Sequence, residues 1–129
     1  MIVGRIGVHQ KNHELILDAL AKINDLNGWS VVFIGPIAPD FLKKTEKIER
    51  FIRKGEVQFL GSLEREKIFE LYAKSRVFLM SSRWEGFSLA MMEAAAMGLL
   101  VVATDVGGFS TVTDNGVLGI SFKEDANEL

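Results

Sequence analysis

Cysteine is missing altogether from the 129 residues. Disulfides and thiolate metal sites are therefore excluded, and a reducing compartment such as the cytoplasm suits the chain. Proline occurs twice and histidine twice, so neither a proline-rich linker nor a histidine-rich metal cluster can be built. No Asp-x-Asp pair occurs, which removes one common carboxylate arrangement for a divalent cation. Charge of one sign is also lacking. The formal net charge is -2 and the pI is near 5.7, a balance that gives nucleic acid no electrostatic footprint. The longest uncharged apolar run, from Ala94 to Ala103, is broken by Gly98 and falls short of the roughly 20 residues a bilayer requires. No signal peptide is visible.

What remains is an apolar chain, 48% hydrophobic and 25% charged, long enough for one domain with a sizeable core. Short apolar runs alternate with helical patterns. Strands are expected over 2–3, 29–34, 57–60, 76–80, 99–103 and 117–122, because these runs are brief and rich in β-branched and aromatic residues. Helices are expected over 13–26, 40–54, 64–74 with Ser62 as its cap, 88–97 and 108–114. Six strands separated by helices imply an α/β fold, a doubly wound parallel six-stranded Rossmann-like sheet covered on both faces. With the strand order 3-2-1-4-5-6, the order reverses between strands one and four, and a ligand sits outside their carboxyl ends. The loops there are 4–11 and 81–87.

The stretch from Ser81 to Gly98 carries the strongest chemical signal. A strand ends at Met80, Ser88 is placed to cap a helix, and Gly98 to end it. The helix reads as apolar all round, with Glu93 its one charged residue. Such a helix belongs in the interior, and a buried carboxylate needs donors. No basic residue lies within a turn on that helix, so the partner is a distant side chain (Arg5 or Arg76 in a structural ion pair) or a ligand. Glu85 precedes the helix on a loop, beside Gly86, and is either a ligand-facing acid or an exposed loop acid. The amides near Leu89 and Ala90 open an anion site at the helix start. Arg5 and Lys11 flank the first loop, where they are either a diphosphate clamp or solvated cations. Phe87 and Leu89 are expected to put their side chains in the core.

His9 and His13 lie four apart, but the glycine-containing loop does not place them on one helix face, and an exposed or capping role is expected for them. The basic run Lys43, Lys44, Lys47, Arg50, Arg53 and Lys54 reads as a solvated helix face, its amphipathic pattern leaving contact with a membrane surface as the other reading.

Glu85 and Glu93 are separated by seven residues, framed by Glu85-Gly86-Phe87-Ser88 before and by Glu93-Ala94, Ala96 and Gly98 after. This resembles the Glu-x7-Glu motif of retaining GT-B glycosyltransferases of the group 1 family. Gly4-Arg5 followed by Lys11-Asn12 is similar to that family's diphosphate-binding pattern, and Thr104-Asp105-Val106-Gly107-Gly108 extends the likeness. Leu100, where the family usually has proline, and Thr111, where it commonly has glutamate, depart from it. The resemblance implies that residues 1–129 are the nucleotide-sugar donor-binding domain, one half of a GT-B fold, lacking the N-terminal acceptor domain. It implies that Arg5 and Lys11 hold the diphosphate, Glu85 and the Gly86, Phe87, Ser88 and Leu89 backbone the sugar and phosphate, and Glu93 the ribose. No metal and no resident cofactor are implied, since the nucleoside-diphosphate sugar is a substrate. Gly35-Pro36-Ile37 falls where base contacts often lie, or is a plain turn. A non-catalytic nucleotide-binding module, or another GT-B chemistry such as sugar-nucleotide epimerisation, would share these features.

Overall fold

Alternate residues of the strands feed two separate apolar clusters, which is the reason the strands lie flat between helices. On β2 (Val31–Ile34) the Phe33 side chain enters one cluster and Ile34 the other, as the two-residue period of a pleated strand requires. The computed structural model describes residues 1–129. Its other strands are β1 (Ile2–Val3), β3 (Val57–Gly61), β4 (Val77–Met80), β5 (Leu100–Thr104) and β6 (Gly119–Phe122). All pairings are parallel.

The strands form two three-stranded sheets, β1-β2-β3 and β4-β5-β6. They meet where β1 runs beside β4. There the Met1 amine donates to the Val77 carbonyl at 2.7 Å, and the Leu79 amide donates to the Met1 carbonyl at 2.9 Å. Across this seam the order is 3-2-1-4-5-6. A two-residue β1 offers too few backbone groups for a longer ladder on both sides.

The helices are α1 (His13–Lys22), α2 (Glu49–Arg53), α3 (Arg65–Lys74), α4 (Leu89–Ala96) and α5 (Phe109–Val112). Ile16, Leu17 and Leu20 of α1 pack on one face with Phe33, Phe41 and Phe51. Tyr72 of α3 and Met91 and Ala94 of α4 pack on the other with Phe78 and Val101.

Three expected boundaries are corrected. α1 stops at Lys22, four residues early, because Ile23 turns extended and Arg50 donates to the Ala21 carbonyl at 3.1 Å and to that of Ile23. The expected 40–54 helix is a 3-10 segment, Leu42–Ile48, followed by α2. Thr45 Oγ1 donates back to the Leu42 carbonyl at 2.7 Å, a local bond that competes with α-helical pairing, and Ile48 leaves the helical region at φ -117°. Glu64, not Ser62, stands at the start of α3, and no side chain caps it.

The carboxyl ends of β1 and β2 come into backbone contact. Gly35 sits at φ +131°, and a Cβ there would lie 1.9 Å from the Gly4 carbonyl oxygen. Only glycine permits that approach, and it draws the loop after β1 to the sheet edge.

Candidate functional site

The loop after β1 and the loop after β4 are bonded to one another at the reversal of strand order. The Arg83 amide donates to the Gln10 carbonyl at 2.8 Å. Arg83 Nη1 donates to the His9 carbonyl at 2.7 Å, and Gln10 Nε2 to the Trp84 carbonyl at 3.1 Å. The His9 ring rests 5.7 Å from that of Trp84. Ser81 Oγ lies 3.0 Å from both the Lys11 and the Asn12 carbonyl oxygens. The expected convergence of the two loops is therefore present.

At its centre Lys11 Nζ meets Glu85 Oε1 at 2.6 Å, with the side chains 17% and 9% exposed. Ser82 Oγ donates to the same oxygen at 2.7 Å. Ser82 is buried, and Thr104 Oγ1 donates to its carbonyl at 2.5 Å. Glu85 is thus neither a free loop acid nor a solvated one. Arg5 is exposed and stays outside this group, donating to Gln10 Oε1 at 3.3 Å.

Below the Glu85 loop runs the turn after β5. A Cβ on Gly107 would lie 2.3 Å from the Glu85 carbonyl oxygen and 2.7 Å from that of Gly86. Both neighbours are backbone, so a side chain there must push the loop away. Gly107→Ala is expected to cost about 1–3 kcal/mol of stability by overpacking. It should also displace Glu85 from Lys11, which urea denaturation and a structure of the variant would test; unchanged stability with Glu85 still on Lys11 would refute this.

Ser88 caps α4 as expected, its Oγ accepting from the Met91 amide at 3.3 Å. The helix is not interior, however, which corrects the reading of it as buried all round. Met91 and Ala94 are buried, but Leu89 is 68% and Phe87 50% exposed, so neither side chain is in the core. Phe87 instead lies across Gly108. Glu93 is not sunk either. Its side chain is 29% exposed and its Oε1 accepts from Arg65 Nη2 at 3.2 Å, so the distant partner is Arg65 and not Arg5 or Arg76. Arg65 is 76% exposed, and such a surface pair holds its members weakly. Glu93 also faces Tyr72. Burial first, and then that carboxylate, pushes the Tyr72 hydroxyl above its ordinary pKa.

His13 is buried, against the expectation of an exposed or capping side chain. Its Nδ1 accepts from the Gly7 amide at 3.1 Å, and burial, then the Lys11 charge, lowers its pKa from 6.5 to about 4. Lys44 and Lys47 are drawn onto Glu14 and Asp18 of α1, while Lys43 and Arg53 pair with Asp40 and Glu49. No three His, Asp or Glu side chains are grouped to hold a metal ion, and no helix is long and apolar enough to cross a membrane. A cleft of about 610 Å³ opens at the opposite, amino ends of β1, β2 and β4, between Met1, Trp29, Val31 and Arg76. It carries no acid, and the chemistry gathers at the other edge.

Sequence reasoning placed Ser82 in the loop after β4, and Thr104 and Gly107 in the family likeness, but gave none of the three a role. The available signals were two adjacent hydroxyls at the end of β4 and a hydroxyl and paired glycines at the end of β5.

A parallel α/β sheet whose strand order reverses where these loops meet is a doubly wound, Rossmann-like domain, and solved glycosyltransferase structures match it as one half of a GT-B fold. All of residues 1–129 match the family described as Glycosyl transferases group 1, and the chain belongs to that family. It is 34% identical over 113 residues to the lipopolysaccharide core biosynthesis mannosyltransferase LpsB of Rhizobium meliloti (strain 1021), covering 84% of this chain and 32% of that protein. It is 34% identical over 110 residues to the sulfoquinovosyl transferase SQD2 of Arabidopsis thaliana, covering 85% and 20%. Anabaena Alr3699/HepE in complex with UDP superposes with a TM-score of 0.77 at 26% identity, covering 98% of this chain and 36% of that one. The complex of the same protein with UDP-glucose gives 0.74 at 26% identity, covering 95% and 34%. The chain spans about a third or less of the length of these curated relatives.

Proposed function

We propose that this chain is the donor-binding domain of a retaining, metal-independent glycosyltransferase that uses a nucleoside-diphosphate sugar in glycan, glycolipid or polysaccharide synthesis. The observation that carries the reading is the Lys11–Glu85–Ser82 group at the switch point, a cation for phosphate beside an acid for sugar hydroxyls. The UDP and UDP-glucose complexes of the structural relative support it.

In this reading Lys11 and Arg5 hold the diphosphate, and their charge stabilises the nucleotide as the bond from the anomeric carbon to the β-phosphate oxygen breaks. Two cations do what a metal would do elsewhere, and the donor is a substrate, so no resident cofactor is invoked. Lys11 and Ser82 both bind Oε1 of Glu85, which leaves Oε2 to accept from a sugar hydroxyl. Glu85 is not assigned as a nucleophile. Retention is assigned instead to front-face return, without a covalent intermediate. The Gly86, Phe87, Ser88 and Leu89 backbone would meet the sugar and phosphate, the amides at the start of α4 adding dipole stabilisation. Glu93 would accept from the ribose hydroxyls, exchanging its weak bond to Arg65. Acceptor binding belongs to a further N-terminal domain, and the isolated chain should bind donor with little transfer, because transfer needs both substrates held together. A cytoplasmic setting suits the cysteine-free chain. Four of the six cations on the basic segment already pair with acids, so a peripheral membrane contact is not part of the proposal.

A thermal-shift panel of UDP, GDP and ADP sugars tests the reading. One nucleotide class should raise the melting temperature. Glu93→Ala should weaken its binding at least about tenfold, whereas Arg65→Ala should leave binding intact. A shift untouched by Glu93→Ala would put the ligand elsewhere.

A further inference from the structure

Lys11, the cation assigned to the diphosphate, is already neutralised at 2.6 Å by Glu85, the acid assigned to the sugar. Two of the ammonium's three N–H donors stay free of Glu85, but phosphate oxygens that take its charge compete for it with a carboxylate that is 9% exposed. We propose that the Lys11–Glu85 pair is a selectivity latch that disfavours a nucleoside diphosphate without a sugar. The inference rests on the donor-site reading above and goes beyond it.

A sugar-free nucleoside diphosphate takes Lys11 and returns nothing to Glu85. The acid is then left largely shielded from water, close to added negative charge, with the Ser82 hydroxyl as its one remaining donor. Uncompensated charge of this kind is costly. A nucleotide sugar takes the same cation but brings hydroxyl donors to the vacated carboxylate. Discrimination thus comes from a penalty on the wrong ligand as well as from contacts with the right one. The same penalty promotes release of the nucleoside diphosphate once its sugar has gone.

Ser82 is the positioning residue of the latch. It is 1% exposed and its carbonyl is held by Thr104 Oγ1, so its hydroxyl is a fixed point. It keeps Glu85 from following Lys11 toward the phosphates, and thereby makes the loss of the cation felt.

Isothermal titration with UDP and with UDP-glucose, the GDP and ADP pairs alongside, tests this on the whole chain. The wild type should bind the sugar nucleotide at least about tenfold more tightly than the free diphosphate. Glu85→Gln should tighten the free diphosphate by about fivefold and bring the ratio toward one. Ser82→Ala should lower the ratio, and Ser82→Thr, which keeps a hydroxyl, should restore it. A ratio indifferent to Glu85→Gln and to Ser82→Ala overturns the latch alone. No binding of any member of the panel by the wild type overturns the donor-site reading and the latch with it.

Discussion

Replacing Lys11 by Met is expected to lower affinity for a nucleoside-diphosphate sugar at least about 100-fold, or about 2.7 kcal/mol. Two effects add. The diphosphate loses a charge-assisted contact, and Glu85 remains a mostly buried carboxylate with its cation gone. The second effect exists without ligand, because Glu85 is 9% exposed and keeps only Ser82. Folding stability should therefore fall by about 1–3 kcal/mol, the usual cost of stranding a buried polar partner. The double variant Lys11→Met with Glu85→Gln separates the effects: it should recover the stability and leave the affinity low. Titration calorimetry and urea midpoints measure the two quantities. Wild-type affinity in Lys11→Met would show that the diphosphate does not use this residue.

The second large effect is on pH. His13 accepts the Gly7 amide through Nδ1, so the fold requires its neutral form. Its pKa falls to about 4 in the folded chain from an ordinary 6.5, and between those values the unfolded chain binds more protons. Stability from this residue is complete above about pH 6.5 and is lost on acidification toward pH 4, up to about 3 kcal/mol in all. His13→Gln keeps an acceptor and cannot titrate. Its urea midpoint should fall less than the wild type's between pH 7.5 and 4.5, and an equal fall in both would remove His13 as the cause. Because Gly7 and Lys11 belong to the same loop, ligand binding should weaken over the same acid range.

The alternation of strands and helices is legible directly, since Val31–Ile34 and Val77–Met80 are short, β-branched and apolar with no competing period. The meeting of the two loops is legible too, because parallel topology brings the ends of strands one and four together whatever their side chains. The ion pair within that site is not. Lys11 and Glu85 stand 74 positions apart, and spacing along a chain says nothing about which side chains cross from one loop to another. Leu89 and Phe87 show a different failure. Apolar character suggests burial, yet the rule runs one way, and much folded surface is apolar. Glu93 goes astray with them, since a residue on a half-exposed helix reaches both water and Arg65. The broken 40–54 helix turns on Thr45 bonding to its own backbone, which no periodicity records.

The seam between the half-sheets has a further implication for how the molecule opens. It is bridged by the Met1 nitrogen on the Val77 carbonyl and the Leu79 amide on the Met1 carbonyl, whereas four paired residues join β4 to β5 and another four join β5 to β6. Local opening follows the line of fewest backbone bonds, so the two halves part along this line before either half frays.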